Sequence, residues 1–255
     1  MKTSSHTQLN GRFAGILGKE YAKLLRSMPH YPLIQDTIAR LTNQGLSQGR
    51  GTQKQRMILE LGCGTGLTTL SISQYVTNAC IIAVDQEPTM LKQHRANVVE
   101  GRELELASSG LVIKTVQADA LTFLKKQKDS SFDAVVTGFM LHNLPIALRA
   151  KILKEIARVL RPGGRFVNGD KIAPDSEKLH NTYLLQQIAK FIDTYTAPED
   201  LAYCVGWIEH YAQDNKTGIR YLESEVRSSL KTAGFGKIKI VGRHCMEAVV
   251  VADRL

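Results

Sequence analysis

The sequence has few of the features that mark secreted, membrane-spanning or zinc-ribbon proteins. Only four residues are cysteine, and Cys63, Cys80, Cys204 and Cys245 stand far apart with no CxxC pair. This spacing argues against a disulfide framework and a cysteine zinc site, and it predicts reduced thiols in a cytoplasmic protein. The longest apolar runs have only strand length, and the first residues lack the apolar core of a secretory signal, so we expect no membrane partner.

A dense run of basic residues is also absent, although the chain is basic overall. The 255 residues include 33 Lys and Arg against 24 Asp and Glu, which gives a net charge of +9. Such a charge can attract nucleic acid or acidic substrates. Because the basic residues are spread along the chain, a solvated surface is favoured and a nucleic-acid partner is left open. The length allows one large domain or a domain with a cap.

The stretch MILELGCGTG, residues 57–66, combines a short apolar run with three closely spaced glycines. The apolar run contains one acid, Glu60. The glycine turn begins at Gly62 and continues through Gly64, and after it apolar residues recur at helical spacing. A strand, a glycine turn and a helix in this order bring backbone N–H groups close to a nucleotide-like cofactor. A dinucleotide fingerprint would need a small residue where Leu67 stands, so a dinucleotide is disfavoured.

Strand and helix patterns alternate after this stretch. The strand patterns fall at 57–61, 80–84, 111–116, 133–137, 165–169, 237–241 and 246–252. The helical patterns fall at 67–76, 88–100, 121–127, 146–160 and 223–233. Alternation with short loops predicts a parallel sheet with helices on both sides, and the last two strands predict an antiparallel hairpin.

Two further regions flank or interrupt this alternation. A helical pattern over 13–41 is broken by two prolines near 28–32, and 43–53 is predicted to be a linker. We therefore predict a helical N-terminal segment with its linker over 1–53 and a core over 54–255. The core has no strand pattern at about 174–217, where we predict a helical cap. The aromatic residues of this cap either line a substrate pocket or form a small core of their own.

Acidic residues end the second and third predicted strands. Asp85 follows an apolar run, and Asp119 ends the third strand. At the end of the second strand, the Asp85 carboxylate can accept hydrogen bonds from both hydroxyls of a ribose. Either acid could instead cap the helix that follows it.

Taken together, these motifs resemble class I S-adenosylmethionine-dependent methyltransferases. Residues 60–66, ELGCGTG, resemble motif I, residues 132–144 resemble motif IV, and 158–166, RVLRPGGRF, resemble the turn before the fifth strand. The resemblance implies an α/β Rossmann-like fold with a seven-stranded mixed sheet, S-adenosyl-L-methionine as cofactor, a small-molecule acceptor and no metal. It implies cofactor contacts from Glu60, Gly62, Cys63, Gly64, Asp85, Gln86, Asp119 and Ala120.

Two flanking stretches resemble carboxy-S-adenosylmethionine synthase, a branch that serves tRNA modification. They are 25–31, LRSMPHY, and 230–235, LKTAGF. This likeness adds Tyr31 and Gly138 as cofactor contacts. The arginine that would hold the extra carboxylate is replaced by Ser229, and a buried carboxylate without a cation is unfavourable, so the ordinary donor is favoured. A carboxylated-donor synthase, a tRNA-modifying enzyme and a non-catalytic cofactor-binding protein are the alternatives.

The motifs do not assign a catalytic residue. An activated methyl donor requires a general base only when the acceptor is a hydroxyl or a protonated amine. His142, just after the fourth strand, is the nearest candidate by position, although a structural histidine is the favoured interpretation. The pairs at 170–171 (Asp-Lys) and 210–211 (His-Tyr) are weaker candidates. The sequence allows a homodimer without requiring one.

Overall fold

A seven-stranded mixed sheet forms the centre of the protein. The computed structural model describes residues 21–47, 55–215 and 219–255. The strands are β1 (Arg56–Leu61), β2 (Ala79–Asp85), β3 (Leu111–Gln117), β4 (Phe132–Gly138), β5 (Leu160–Lys171), β6 (Phe235–His244) and β7 (Glu247–Arg254). Their spatial order is β3-β2-β1-β4-β5-β7-β6. Strands β1 to β5 are parallel, and β7 runs antiparallel to both β5 and β6. The predicted α/β fold with its terminal hairpin is confirmed.

Nine α-helices lie in the described ranges. They are α1 (Tyr31–Ser47), α2 (Leu67–Ser73), α3 (Pro88–Val98), α4 (Glu103–Ser108), α5 (Ala120–Lys125), α6 (Ile146–Val159), α7 (Glu177–Thr194), α8 (Leu201–Asp214) and α9 (Glu223–Ala233). Short 3-10 helices cover Tyr21–Ser27, Leu141–Asn143 and Pro198–Asp200. No helix in the described ranges is both long enough and apolar enough to cross a bilayer.

The central strands are buried on both faces, which explains their nearly continuous apolar sequences. In β1, Leu59 points into a cluster that includes Ile152 of α6. The neighbouring Ile58 points the other way, into a cluster with Ile34 and Ile38 of α1. Successive side chains of a strand face opposite sides, so one strand is packed by helices from both layers. The N-terminal helix α1 is therefore part of the core packing.

The aromatic residues of the 174–217 region form a small core of their own. They pack with the 3-10 helix at Tyr21–Ser27 and with the start of α1. The buried members of this cluster are Leu24, Met28, Tyr31, Phe191, Tyr195, Tyr203, Cys204, Trp207, Tyr211 and Met246. Burial of a large aromatic side chain removes much apolar surface from water, so this cluster holds the cap region against the N-terminal segment.

The element bounds differ most from the sequence predictions in three places. Helix α1 continues to Ser47, where a linker was predicted, because Leu46 is buried and its packing outweighs the weak helix propensity around it. Strand β5 begins at Leu160 instead of 165, and an irregularity in its register with β4 accommodates the Pro-Gly-Gly sequence. Helix α4 was not predicted. Predicted residues 13–20, 48–53 and 216–217 lie outside the described residues.

A fully buried arginine links helix α6 to the segment before α9. The Arg149 guanidinium donates to both carboxylate oxygens of Glu225, at 2.8 and 2.9 Å. It also donates to the carbonyl oxygens of Leu144, at 2.8 Å, and of Ile219, and it lies 4.4 Å from the ring centroid of Tyr221. A buried charge is tolerated only with partners of this kind, so Arg149 connects three separate segments.

We expect Arg149→Met to lower the free energy of unfolding by about 3–5 kcal/mol, because it leaves the Glu225 carboxylate without its buried partner. Chemical denaturation measures this change. Arg227→Met is the control, since Arg227 is exposed and pairs with Glu223 in the same helix. The control should cost less than about 1 kcal/mol. Equal losses in the two variants would contradict the linking role of Arg149.

Candidate functional site

A cavity opens at the carboxyl ends of β1, β2, β3 and β4, where the loops after these strands converge. In open parallel sheets this edge is the usual position for a ligand. The cavity is lined by Tyr21, Tyr31, Gly62, Cys63, Gly64, Thr65, Leu67, Thr68, Val84, Asp85, Gln86, Glu87, Met90, Ala118, Asp119, Ala120, Gly138, Phe139, Met140, Asn143, Leu144, Leu148 and Ile152. Among these described residues there are three acids and no lysine or arginine.

The carboxylate of Asp85 ties the glycine turn after β1 to the end of β2. Its Oδ2 accepts a hydrogen bond of 2.8 Å from the Gly64 N–H, and its Oδ1 accepts one of 2.9 Å from the Glu87 N–H. Burial raises the pKa of Asp85, while these backbone N–H donors act in the opposite direction. Asp85 therefore holds the glycine turn in place through these hydrogen bonds, and its side chain also lines the cavity.

Two glycines in this turn are required for different reasons. Gly62 has a φ of +67°, and a Cβ there would lie 2.5 Å from the Cγ of Met140. Gly64 has a φ of +51°, but no protein atom lies within 4 Å of the position that its Cβ would take. The backbone of Gly64 is thus exposed to the cavity, which leaves space for a ligand to approach its peptide group.

Asp119 caps a helix and also lines the cavity. Its side chain caps α5 by accepting a 2.8 Å hydrogen bond from the Thr122 N–H. It also lines the cavity together with Ala120, and Gln86 lines the same region after β2. The cap fixes the orientation of the carboxylate, because one oxygen is held by the helix.

Aromatic residues line the opposite part of the cavity. The ring of Tyr31 stacks on Phe139, with 5.1 Å between centroids. Burial raises the pKa of the Tyr31 hydroxyl, so it is neutral near pH 7. Gly138 directly precedes Phe139 in the chain. A side chain at this position is disfavoured, because its Cβ would lie 2.4 Å from the Thr68 hydroxyl oxygen.

Nine of the ten predicted contact residues line this cavity, and Glu60 is the exception. Glu60 is fully buried, and its Oε2 accepts a 2.5 Å hydrogen bond from the Thr69 hydroxyl. Thr69 also contacts the His94 Nε2 at 2.9 Å. Glu60 Oε1 has no hydrogen-bond partner among the described residues, and burial raises the pKa of this carboxyl to about 8. Direct contact of Glu60 with a cofactor stays a prediction.

Several cavity residues were not found by sequence reasoning. They are Tyr21, Thr68, Phe139 and Met140, among others. Phe139 and Met140 directly follow the motif at the end of β4, so their position was a usable signal. Tyr21 and Thr68 carry no such signal, because their approach to the cavity depends on how their helices pack.

The candidate catalytic residues come together in a buried polar cluster beside the cavity. The His142 Nδ1 lies 2.5 Å from Asp170 Oδ1, and its Nε2 lies 3.8 Å from Asp214 Oδ2. Lys171 Nζ is 3.0 Å from the same Asp214 oxygen, and His210 Nε2 is 3.6 Å from it. The neighbours Met140 and Asn143 line the cavity, but His142 does not. The geometry therefore separates this histidine from the cavity and places it inside the cluster.

Comparison with known proteins agrees with this fold and this site. Residues 59–168 match the family described as Methyltransferase domain. The chain carries a methyltransferase domain over these residues, and its fold is shared with S-adenosylmethionine-dependent methyltransferases of known structure. The matched range runs from β1 into β5, so it includes the glycine turn, Asp85, Asp119 and the loop after β4. It does not include α1 or the cap helices.

The relatives of this methyltransferase domain differ in what they act on. One is a malonyl-[acyl-carrier protein] O-methyltransferase of Brevibacillus brevis, 30% identical over 168 residues, which are 66% of this chain and 56% of the relative. Another is a carboxy-S-adenosyl-L-methionine synthase of Trichlorobacter lovleyi, 30% identical over 160 residues, which are 61% of this chain and 59% of the relative. This chain thus spans somewhat more than half of the length of these relatives.

Solved structures show the same fold at low sequence identity. An O-methyltransferase family protein from Burkholderia thailandensis gives a TM-score of 0.59 at 13% identity, over 95% of this chain and 61% of that one. The magnesium protoporphyrin IX methyltransferase of Synechocystis gives 0.53 at 14% identity, over 99% of this chain and 92% of that one. The methyltransferase domain therefore has a fold shared well beyond recognisable sequence similarity.

We expect Glu60→Gln to stabilise the methyltransferase domain increasingly as pH rises. The folded-state pKa of about 8 lies above the ordinary value of 4.5, so the folded protein holds a proton that the unfolded chain releases. This bound proton contributes fully to the free energy of unfolding below pH 4.5, and the contribution is lost as pH rises through 8. Near pH 8 the variant should melt about 4 °C or more above the wild type, and this difference should shrink towards pH 5.

Thermal unfolding followed from pH 5 to pH 9 measures this dependence. Glu105→Gln is the control, because Glu105 is exposed and its pKa is lowered by Arg102. Its melting difference from the wild type should stay flat over this range. A Glu60→Gln difference that is equally flat would contradict a protonated, buried Glu60.

Proposed function

We propose that the protein transfers a methyl group from S-adenosyl-L-methionine to a small-molecule acceptor. The observation that carries this proposal is the cavity at the strand ends, where the open backbone of Gly64 and the carboxylates of Asp85 and Asp119 face one space. Acidic side chains suit the hydroxyls and the positive charge of a sulfonium nucleoside. Membership of the methyltransferase-domain family and the O-methyltransferase relative support it.

The residues present fit this cofactor. Asp85 stands at the end of β2, where its carboxylate can accept hydrogen bonds from ribose hydroxyls. Asp119 and Ala120 line the same cavity, and we expect them to face the adenine edge. The rings of Tyr31 and Phe139 close the part of the cavity nearest to the cap. Cys63 contributes backbone and a neutral thiol, because burial raises the pKa of its thiol.

The ordinary donor is favoured over its carboxylated form. An additional carboxylate would need a cation, and no lysine or arginine lines the described part of the cavity. The arginines nearest in sequence to the missing position are engaged elsewhere. Arg227 pairs with Glu223, Arg243 donates to the same Glu223, and Arg220 pairs with Glu177.

The protein's own contribution is to bind and orient the reactants. S-adenosyl-L-methionine supplies a methyl group that is already activated by its sulfonium. Alignment of the reacting groups alone can lower the barrier by up to about 7–11 kcal/mol. The apolar and aromatic lining near Phe139 and Met140 limits the water in that part of the cavity, which strengthens electrostatic contacts there.

Finer features of the prediction belong to this proposal. We expect a cytoplasmic protein, in agreement with four free cysteines, and we keep the division into a segment at 1–53, a core at 54–255 and a cap at about 174–217. A homodimer and a nucleic-acid acceptor remain predictions that no contact in the described residues favours.

We expect Gly64→Ala to weaken binding of S-adenosyl-L-methionine by about tenfold or more, because the new methyl group occupies the space where the ligand meets the backbone. Titration calorimetry measures the affinity. Gly101→Ala is the matched control, since Gly101 also has a positive φ and an open Cβ position but lies away from the cavity. Both variants place alanine at a positive φ, +51° at residue 64 and +77° at residue 101. Unchanged affinity in Gly64→Ala would rule out this binding mode.

We expect the purified protein to methylate a member of a small-molecule acceptor panel, with S-adenosylhomocysteine as the second product. Mass spectrometry of the bound donor and of the product distinguishes the candidate functions. A product heavier by one methyl group supports the proposal. A carboxymethylated product or a carboxylated bound donor would favour the synthase-like alternative. Tight donor binding without turnover on any acceptor would favour the non-catalytic alternative.

A further inference from the structure

Three buried side chains in the polar cluster have potential metal-ligating atoms close to one another. They are His142 of the 3-10 helix after β4, and His210 and Asp214 of α8. One ligand atom from each of them lies within 4.8 Å of the others. The distances from Asp214 Oδ2 to the two imidazole Nε2 atoms are 3.8 and 3.6 Å. These are too long for hydrogen bonds.

The same distances suit ligands that share one ion. A tetrahedral zinc ion binds imidazole nitrogen and carboxylate oxygen at about 2.0–2.2 Å, so two of its ligands lie roughly 3.4 Å apart. Asp214 Oδ2 lies within a few tenths of an ångström of that spacing from each Nε2 atom, and small side-chain movements would close the remaining distances, all within 4.8 Å. The donor set of two imidazoles and one carboxylate suits Zn²⁺ and similar transition ions better than Mg²⁺.

A second carboxylate orients one of the histidines. Asp170 Oδ1 lies 2.5 Å from His142 Nδ1, and its Oδ2 accepts hydrogen bonds from the Leu141 and His142 N–H groups. A carboxylate on the far ring nitrogen of a histidine is the usual support of a metal ligand, because it fixes the tautomer that leaves Nε2 able to coordinate. Asp170 lies at the end of β5 and is fully buried, so this orientation is rigid.

The remaining two donors are positioned by helix geometry. His210 and Asp214 are four residues apart in α8, so they share one face of the helix. The ring of His210 packs edge-to-face against Trp207, at 5.1 Å between centroids. The cap helix thus presents two donors, and the loop after β4 presents the third.

We propose that His142, His210 and Asp214 form a binding site for one divalent transition-metal ion such as Zn²⁺. The ion would join the cap helix α8 to the loop after β4, whose residues Met140 and Asn143 line the cavity. The three donors leave a fourth position of a tetrahedral ion for water or another ligand. This site is independent of the proposed methyl transfer, and it runs counter to the sequence-based expectation of no metal.

Lys171 competes with a metal ion for this site. Its ammonium lies 3.0 Å from Asp214 Oδ2 and 3.5 Å from the ring centroid of Tyr211. A metal ion on the same oxygen would repel that charge. Lys171→Met should therefore raise the affinity for Zn²⁺ by about tenfold or more, which an adventitious surface site would not show.

Zinc titration of the chelator-treated full chain tests the proposal. The wild type should bind one equivalent of Zn²⁺, and excess Mg²⁺ should not compete. His210→Gln and Asp214→Asn should each weaken binding about 100-fold, and Asp170→Asn about 10- to 100-fold through loss of ligand orientation. His244→Gln is the control, because His244 stacks on His30 and is not one of the three donors.

X-ray absorption at the zinc edge of the wild type gives a result that does not depend on the folding of any variant. A first shell of nitrogen and oxygen with two imidazoles supports the site. Sulfur in that shell would overturn it, because the cluster contains no cysteine. Loss of binding in His244→Gln, or equal binding by the wild type and His210→Gln, would also overturn it.

Discussion

The hydrogen bond from the Gly64 N–H to Asp85 Oδ2, 2.8 Å long, joins the ends of two neighbouring parallel strands. Strands β1 and β2 pair in register up to Leu61 and Val84, so their loops emerge side by side at one edge of the sheet. The glycine turn can bend back towards Asp85 only because its residues accept positive φ angles. The position of the cavity, and the direction in which Asp85 faces it, depend on this contact.

Burial creates a second constraint behind the cavity. Glu60 and its partners Thr69 and His94 lie under the glycine turn, where an ionised carboxylate is costly. Burial raises the pKa of Glu60 to about 8 and lowers that of His94 to about 4, so both groups are neutral near pH 7. This neutral network lies behind the cavity, whose lining contains the acids Asp85, Glu87 and Asp119.

The N-terminal segment and the cap depend on each other for their packing. The buried aromatic residues of α7 and α8 contact Leu24, Met28 and Tyr31, and Tyr31 in turn stacks on Phe139 at the end of β4. Neither region would bury its apolar surface without the other. The same packing brings α8 close to the loop after β4, which assembles the polar cluster around Asp214.

The sequence alone determined the sheet, its parallel part, the terminal hairpin and nine of the residues that line the cavity. Those features follow local rules, because apolar periodicity, glycine spacing and acids at strand ends act within a few residues. The tertiary structure decided what the cap aromatics pack against. It also decided that His142 lies outside the cavity and close to Asp214. These features join segments more than 60 residues apart in the chain, as His142 and His210 show, and no local pattern encodes such contacts.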